Sequence, residues 1–160
     1  MATKNILLRL DKIKATTHVV SIKLKADAHN GNIVKLGSYV ENDIYYGENP
    51  SAGVGLAKDT LVLLAEQFLS YTGLEKEEEQ VLKAGTIVRG YILEQGDIIT
   101  LTEDAINVSE TAATTKFVIP TDSNMKMKVA TAASENSKLN FAIDALETLK
   151  GHKAVVLRVL

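Results

Sequence analysis

The chain has 160 residues, 46% of them apolar and 24% charged, which is material for one compact domain with a sizeable core. It has no cysteine, which excludes a disulfide framework, thiolate metal sites and thiol catalysis, and no stretch approaches the roughly 20 apolar residues that span a bilayer. A net charge of −2 speaks against general nucleic-acid binding. With no Trp, three Phe and five Tyr, the core has to be aliphatic, which favours sheet packing over an aromatic ligand pocket.

Residues 1–25 carry Lys4, Arg9, Lys12, Lys14, Lys23 and Lys25 against Asp11 alone, so a basic beginning precedes an acidic remainder. Met1–Leu10 has only a short apolar run and no small-residue cleavage pattern, so the chain reads as made in the cytoplasm and neither inserted nor exported. Thr17–Lys25 alternates Val20, Ile22 and Leu24 with polar residues, the period of a half-buried strand. Residues 28–32 supply turn chemistry before Ile33–Val40 resumes an extended run, and the pair predicts a first hairpin. Glu41–Ala57, with its Asn, Gly, Ser and Pro50, reads as a long surface loop or short irregular strands.

Thr60–Ala65 is a short apolar run that predicts a buried strand, and Leu74–Gln80 predicts an exposed charged segment without an apolar stripe. Lys83–Thr102 gives the clearest expectation: strand Ala84–Leu93, a turn at Glu94-Gln95-Gly96-Asp97, and a returning strand Ile98–Leu101, together a hairpin. Thr102–Ile106 suits one helical turn capped by Thr102. Phe117–Ile119, Met125–Ala130 and Lys153–Leu160 read as strands. Residues 139–149 fit a helix ended by Gly151 or an alternating strand, and periodicity leaves both open. The fold class expected is all-β or predominantly β, a compact β-sandwich or barrel-like domain with one or two short helical turns.

Candidate chemistry is sparse. His18, His29 and His152 stand apart, without the paired spacing of a metal site, and Gly53-Val54-Gly55 lacks the lysine of a phosphate loop. The run of Glu75, Glu77, Glu78 and Glu79 lacks the ligand spacing and bend glycine of a calcium loop. Neither a catalytic residue nor a cofactor or metal is expected. Arg89 shares a strand face with Ile87, Tyr91 and Leu93, either as a rim arginine covering apolar surface or as a partner for Glu94 or Asp97 across the hairpin. A minor enzyme reading would group Asp97, Arg89 and His18 in acid, charge-stabilising and base roles.

Lys83-Ala84-Gly85, Arg89-Gly90-Tyr91, Leu93 and Gly96-Asp97-Ile98, preceded by the charged stretch Glu75–Gln80, resemble the small auxiliary, or decoration, proteins on the heads of tailed bacteriophages. Val19–Leu24 leading to Asn30-Gly31 and Val34-Lys35-Leu36-Gly37, Lys58-Asp59-Thr60 before an apolar run, and the terminal Val155–Leu160 extend the likeness over most of residues 17–160. The resemblance implies a non-enzymatic virion protein on the outer capsid surface. It would bind the major capsid protein of the same phage, with self-association on the lattice as a further contact, and neither nucleic acid nor membrane. It also tilts residues 139–144 towards strand.

Residues 1–16 match that pattern poorly and are set apart as an N-terminal arm, leaving 17–160 as a single β-rich domain. Ile6, Leu7, Leu8, Leu10 and Ile13, beside Arg9 and Lys12, form the expected partner-contacting set, an arm able to add a strand to a neighbour's sheet edge. The other reading makes the same residues the first strand or helix of the domain. The alternative function is a phage tail, fibre or host-surface module binding glycans, with Tyr45 and Tyr46 stacking on sugars.

Overall fold

The computed structural model describes residues 5–107, 117–121 and 124–160. It is predominantly β, with two sheets. Five strands close a small barrel in the order β2 (His18–Leu24), β4 (Ile44–Glu48), β3 (Ile33–Glu41), β5 (Leu61–Leu64) and β6 (Ile87–Ile92), with β6 pairing back onto β2. The second sheet runs in the order β1 (Leu8–Lys12), β7 (Ile98–Thr102), β12 (His152–Val159), β11 (Phe141–Leu149), β9 (Phe117–Thr121), β10 (Asn124–Ala130) and β8 (Ile106–Asn107). Three single 3-10 turns, Gly53–Lys58, Glu77–Glu79 and Glu103–Ala105, complete the described structure.

The apolar run of β5 shows how the two sheets share material. Its alternate side chains Val62 and Leu64 point into the barrel with Ile22, Val34 and Val88, while Leu61 and Leu63 point out against Ile99, Leu101 and Leu157 of the larger sheet. A strand covered on both faces has no polar side to alternate, so its sequence reads as a continuous apolar run. Ile33 and Val34 of β3 divide between the two cores in the same way. Each aliphatic side chain fully buried there contributes roughly 1.5–3 kcal/mol. The core is aliphatic as composition requires, with Phe141 the one aromatic ring among its fully buried large side chains.

Strand positions follow the sequence more closely than strand partners do. The Lys83–Thr102 hairpin does not form: β6 pairs with β2 and β5 in the barrel, and β7 pairs with β1 and β12 in the other sheet. The turn before Asp97 is present, with Gly96 at φ +92° and the Asp97 N–H donating to the Glu94 carbonyl at 3.1 Å. It carries the chain from one sheet to the other instead of reversing it within one. The first predicted hairpin also fails, because β4 lies between β2 and β3, parallel to the one and antiparallel to the other.

That inserted strand comes from the segment read as a long loop or short irregular strands, and it is a regular strand. Asn42 and Asp43 both take left-handed φ, 47° and 61°, the geometry of a two-residue hairpin turn, and they fold β4 back onto β3. Lys150 and Gly151, at φ 46° and 82°, make the corresponding turn between β11 and β12. Residues 141–149 are therefore strand, and Gly151 closes a hairpin instead of ending a helix. Thr102 does not cap the following turn. Its hydroxyl accepts instead from the Leu7 N–H at 2.9 Å.

Residues 5–16 also join the domain instead of standing apart from it. Leu8–Lys12 is the edge strand of the larger sheet, in register with Ile98–Leu101, and Ile6 lies in its core. Two N–H···O contacts fix the entry: Thr102 N–H donates to the Leu7 carbonyl at 3.1 Å, and Ile6 N–H to the Glu78 carbonyl at 2.9 Å.

Candidate partner-binding surface

Of the residues expected to contact a partner, Ile6 and Leu7 are buried, and Leu8, Leu10 and Ile13 are half-buried against the core. Arg9 and Lys12 are exposed. Alternation along β1 explains the split, since Leu8 and Leu10 face inward while Arg9 faces out, paired with Asp11 and, at 2.9 Å, with Glu147 of β11. The apolar members of the set thus serve first as core. The arm's residues 1–4, including Lys4, lie outside the described residues.

The groups named for an enzyme reading are not brought together. Asp97 is fully buried, and its carboxylate accepts from the Lys14 N–H at 2.9 Å, the Thr17 hydroxyl at 2.7 Å and the Glu94 N–H at 2.9 Å. Arg89 is exposed on β6 and His18 is exposed at the start of β2. Tyr45 and Tyr46 fall on opposite faces of β4. Tyr45 packs with the barrel interior and edge-on to Tyr39, while Tyr46 lies 4.8 Å beneath the Lys25 ammonium. Consecutive residues of a strand point apart, so the two rings cannot stack on one sugar together.

The structure shows instead a loop tip that sequence periodicity passes over. Between β5 and the Glu77–Glu79 turn, Leu69, Tyr71 and Leu74 are 59%, 88% and 85% exposed, three large apolar side chains offered to solvent within six residues. Such clustering marks an interaction site more often than a single exposed leucine does. The tip is organised by Glu75, whose Oε2 accepts from the Ser70 hydroxyl at 2.6 Å, the Thr72 hydroxyl at 2.8 Å and the Thr72 N–H at 3.3 Å. Gly73, at φ +77°, donates its N–H to the Ser70 hydroxyl at 2.9 Å.

Donation from the Ser70 hydroxyl, then from the Glu75 backbone N–H and the Thr72 hydroxyl, holds the Glu75 carboxyl down at about 2, against 4.5 for an ordinary glutamate. The folded value is the depressed one, so the carboxylate supports the tip fully above about pH 4.5 and the support is lost as pH falls through about 2. A carboxyl-carbon NMR titration should place the Glu75 midpoint near 2. Glu75→Ala should leave the melting temperature nearly unchanged, because the group is exposed, yet speed protease cleavage within residues 69–74. An ordinary midpoint with unaltered cleavage would show that the carboxylate does not hold the tip.

Beside this loop runs a groove of about 520 Å³ between β1 and the barrel. Leu8 and Leu10 form one wall, Arg89 and Tyr91 of β6 another, and Glu66 and Phe68 lie between them. Asn30 fixes that floor, accepting from the Glu66 N–H at 2.8 Å and donating to the Glu66 carbonyl at 3.0 Å. Among the described residues no group of three His, Cys, Asp or Glu side chains is placed to hold a metal ion, and no helix is long and apolar enough to cross a membrane. Comparison with known proteins adds no relative: no family model matches the chain, and neither a curated protein nor a solved structure does.

Proposed function

We propose that this chain is a structural protein that decorates the outer surface of a bacteriophage head and stabilises the assembled shell. The observation that carries the reading is the loop tip, where Leu69, Tyr71 and Leu74 are exposed on a segment tied down by Glu75. Ordering the loop before contact lowers the entropy lost on binding, as an adhesive contact requires. The order of the Lys83–Gly85, Arg89–Tyr91 and Gly96–Ile98 pieces in the sequence supports the same reading.

The mechanism is adhesive. Many copies bind repeated lattice sites, and because they bind the assembled state and not the free subunit, they stabilise assembly by mass action. Mixing the purified protein with assembled heads and with free capsid subunits of its phage tests this. Binding to heads alone is expected, and Tyr71→Ala or Leu74→Ala should weaken it roughly tenfold, the loss of about 1.4 kcal/mol typical of a partly buried interface anchor. Equal binding to heads and subunits, or to neither, would sink the reading.

A further inference from the structure

We propose that the groove between β1 and β6 receives an extended polypeptide segment bearing a carboxylate, which adds a strand to the free edge of β1 and pairs with Arg89. The backbone of β1 supplies the first half of the argument. In an antiparallel ladder, alternate residues turn their N–H and C=O towards the partner strand and the rest turn them away. Leu7 faces β7, since its carbonyl accepts from Thr102, and its register neighbour Arg9 faces β7 with it. Ile6 faces the other way and donates to Glu78. Leu8 and Leu10 therefore aim their backbone groups away from β7, and both residues line the groove.

This short stretch of edge carries Arg9, whose guanidinium is held by Asp11 and Glu147, and neither turn nor bulge covers it. The Glu77–Glu79 turn covers the edge at Ile6 and stops there, and the bulge that shifts the register comes only between Leu10 and Lys12. An unpaired donor and acceptor row recognises another extended backbone, whatever its side chains. A short strand pairing with Leu8–Leu10 would satisfy it.

Charge supplies the second half. Three charged side chains line the groove: Glu66, Glu77 and Arg89. Glu66 is turned to the backbone, its oxygens accepting from the Gln67 N–H at 2.8 Å and the Arg89 N–H at 2.9 Å, and Glu77 pairs with Lys150 at 2.9 Å. Among the described residues the Arg89 guanidinium has no ion partner, and it stands on the groove wall next to Tyr91. A guanidinium beside an apolar ring and an open strand edge fits a segment that alternates apolar side chains with aspartate or glutamate.

The probe is a random dodecapeptide library in mRNA display, selected on the intact protein. The enriched peptides should alternate apolar residues with at least one carboxylate. Their binding should perturb and protect the Leu8 and Leu10 amides, fall at least tenfold in Arg89→Glu, and survive largely in Arg89→Lys. Leu10→Pro removes an outward-facing N–H and should abolish binding. Should that variant fold poorly, Arg89→Glu, at an exposed position, decides alone. Failure to enrich, enrichment of basic sequences, or binding indifferent to Arg89→Glu would overturn the proposal. The outcome is independent of whether the protein binds phage heads, since the groove is probed without them.

Discussion

Replacing Asp97 by alanine is expected to destabilise the protein by about 3–5 kcal/mol, because it strands three donors that converge on one buried carboxylate. The donors come from Lys14, Thr17 and Glu94, so the side chain ties the segment between β1 and β2 to the crossover between β6 and β7. Its own backbone closes the corner further, since the Asp97 carbonyl accepts from the Val159 N–H at 2.9 Å and the Gly96 N–H donates to the Val159 carbonyl at 2.9 Å. For a domain of this size the loss corresponds to a melting temperature lower by roughly 6–20 °C.

Asp97→Asn separates charge and geometry. Its one remaining oxygen can keep the Thr17 and Glu94 bonds while the amide nitrogen faces the Lys14 N–H, so a smaller loss of roughly 1–2 kcal/mol is expected. Urea unfolding of the two variants beside the wild type measures both numbers. An alanine variant within 1 kcal/mol of wild type would mean that water replaces the carboxylate at no cost and that the corner is held by its backbone alone.

Asp97 also marks where sequence reading stops. Its neighbourhood in sequence, a Gly-Asp turn between two apolar runs, is the chemistry of a hairpin, and local pattern carries no information about Thr17, which is 80 positions away. Period and composition located β2, β3, β5, β6, β7, β9, β10 and β12, because alternation and apolar runs are local properties. Pairing is not local. The chain leaves each sheet and returns, so β2 meets β4 and β6 while β7 meets β1 and β12. Two pairings are written locally at described turns: Lys150-Gly151 between Leu149 and His152, and Asn42-Asp43 between Val40 and Ile44, the latter a two-residue turn signal hidden by the glycines and proline that follow it.

The surface was less legible than the fold. Leu8 and Leu10 were visible as apolar anchors beside basic residues, but whether they face a core or a partner depends on β7, which supplies the sheet. The tip of Leu69, Tyr71 and Leu74 has no period to detect. Its signal lies in Ser70, Thr72 and Glu75, whose spacing lets one carboxylate collect neighbouring hydroxyls. In the sequence Arg89 is a charge on an apolar face. Its role on a groove wall depends on β1, which reaches it only through the fold.

Gly90, at the centre of the Arg-Gly-Tyr piece, carries the second large effect. A Cβ built there would lie 2.3 Å from Val62 Cγ1, 3.3 Å from Ile22 Cγ1 and 3.5 Å from the Leu63 carbonyl oxygen. Val62 and Ile22 are fully buried and β-branched, so neither has a free rotamer into which to retreat. On β4 the constraint recurs, since a Cβ at Gly47 would lie 2.6 Å from Ile22 Cγ2. The five-stranded barrel is thus too narrow for a side chain at every inward position, and glycine on two strands makes room for Ile22. Gly90→Ala should cost about 2–3 kcal/mol by overpacking. Val62→Ala alone should also destabilise, by opening a cavity at the same spot. Combined, the two should cost less than their sum by roughly 1 kcal/mol or more, because the added methyl occupies the space the valine vacates. Additive losses in the thermal unfolding of the three variants would place the strain elsewhere than at Val62. The predicted coupling would make this glycine a packing residue, required by the barrel whatever partner the surface binds.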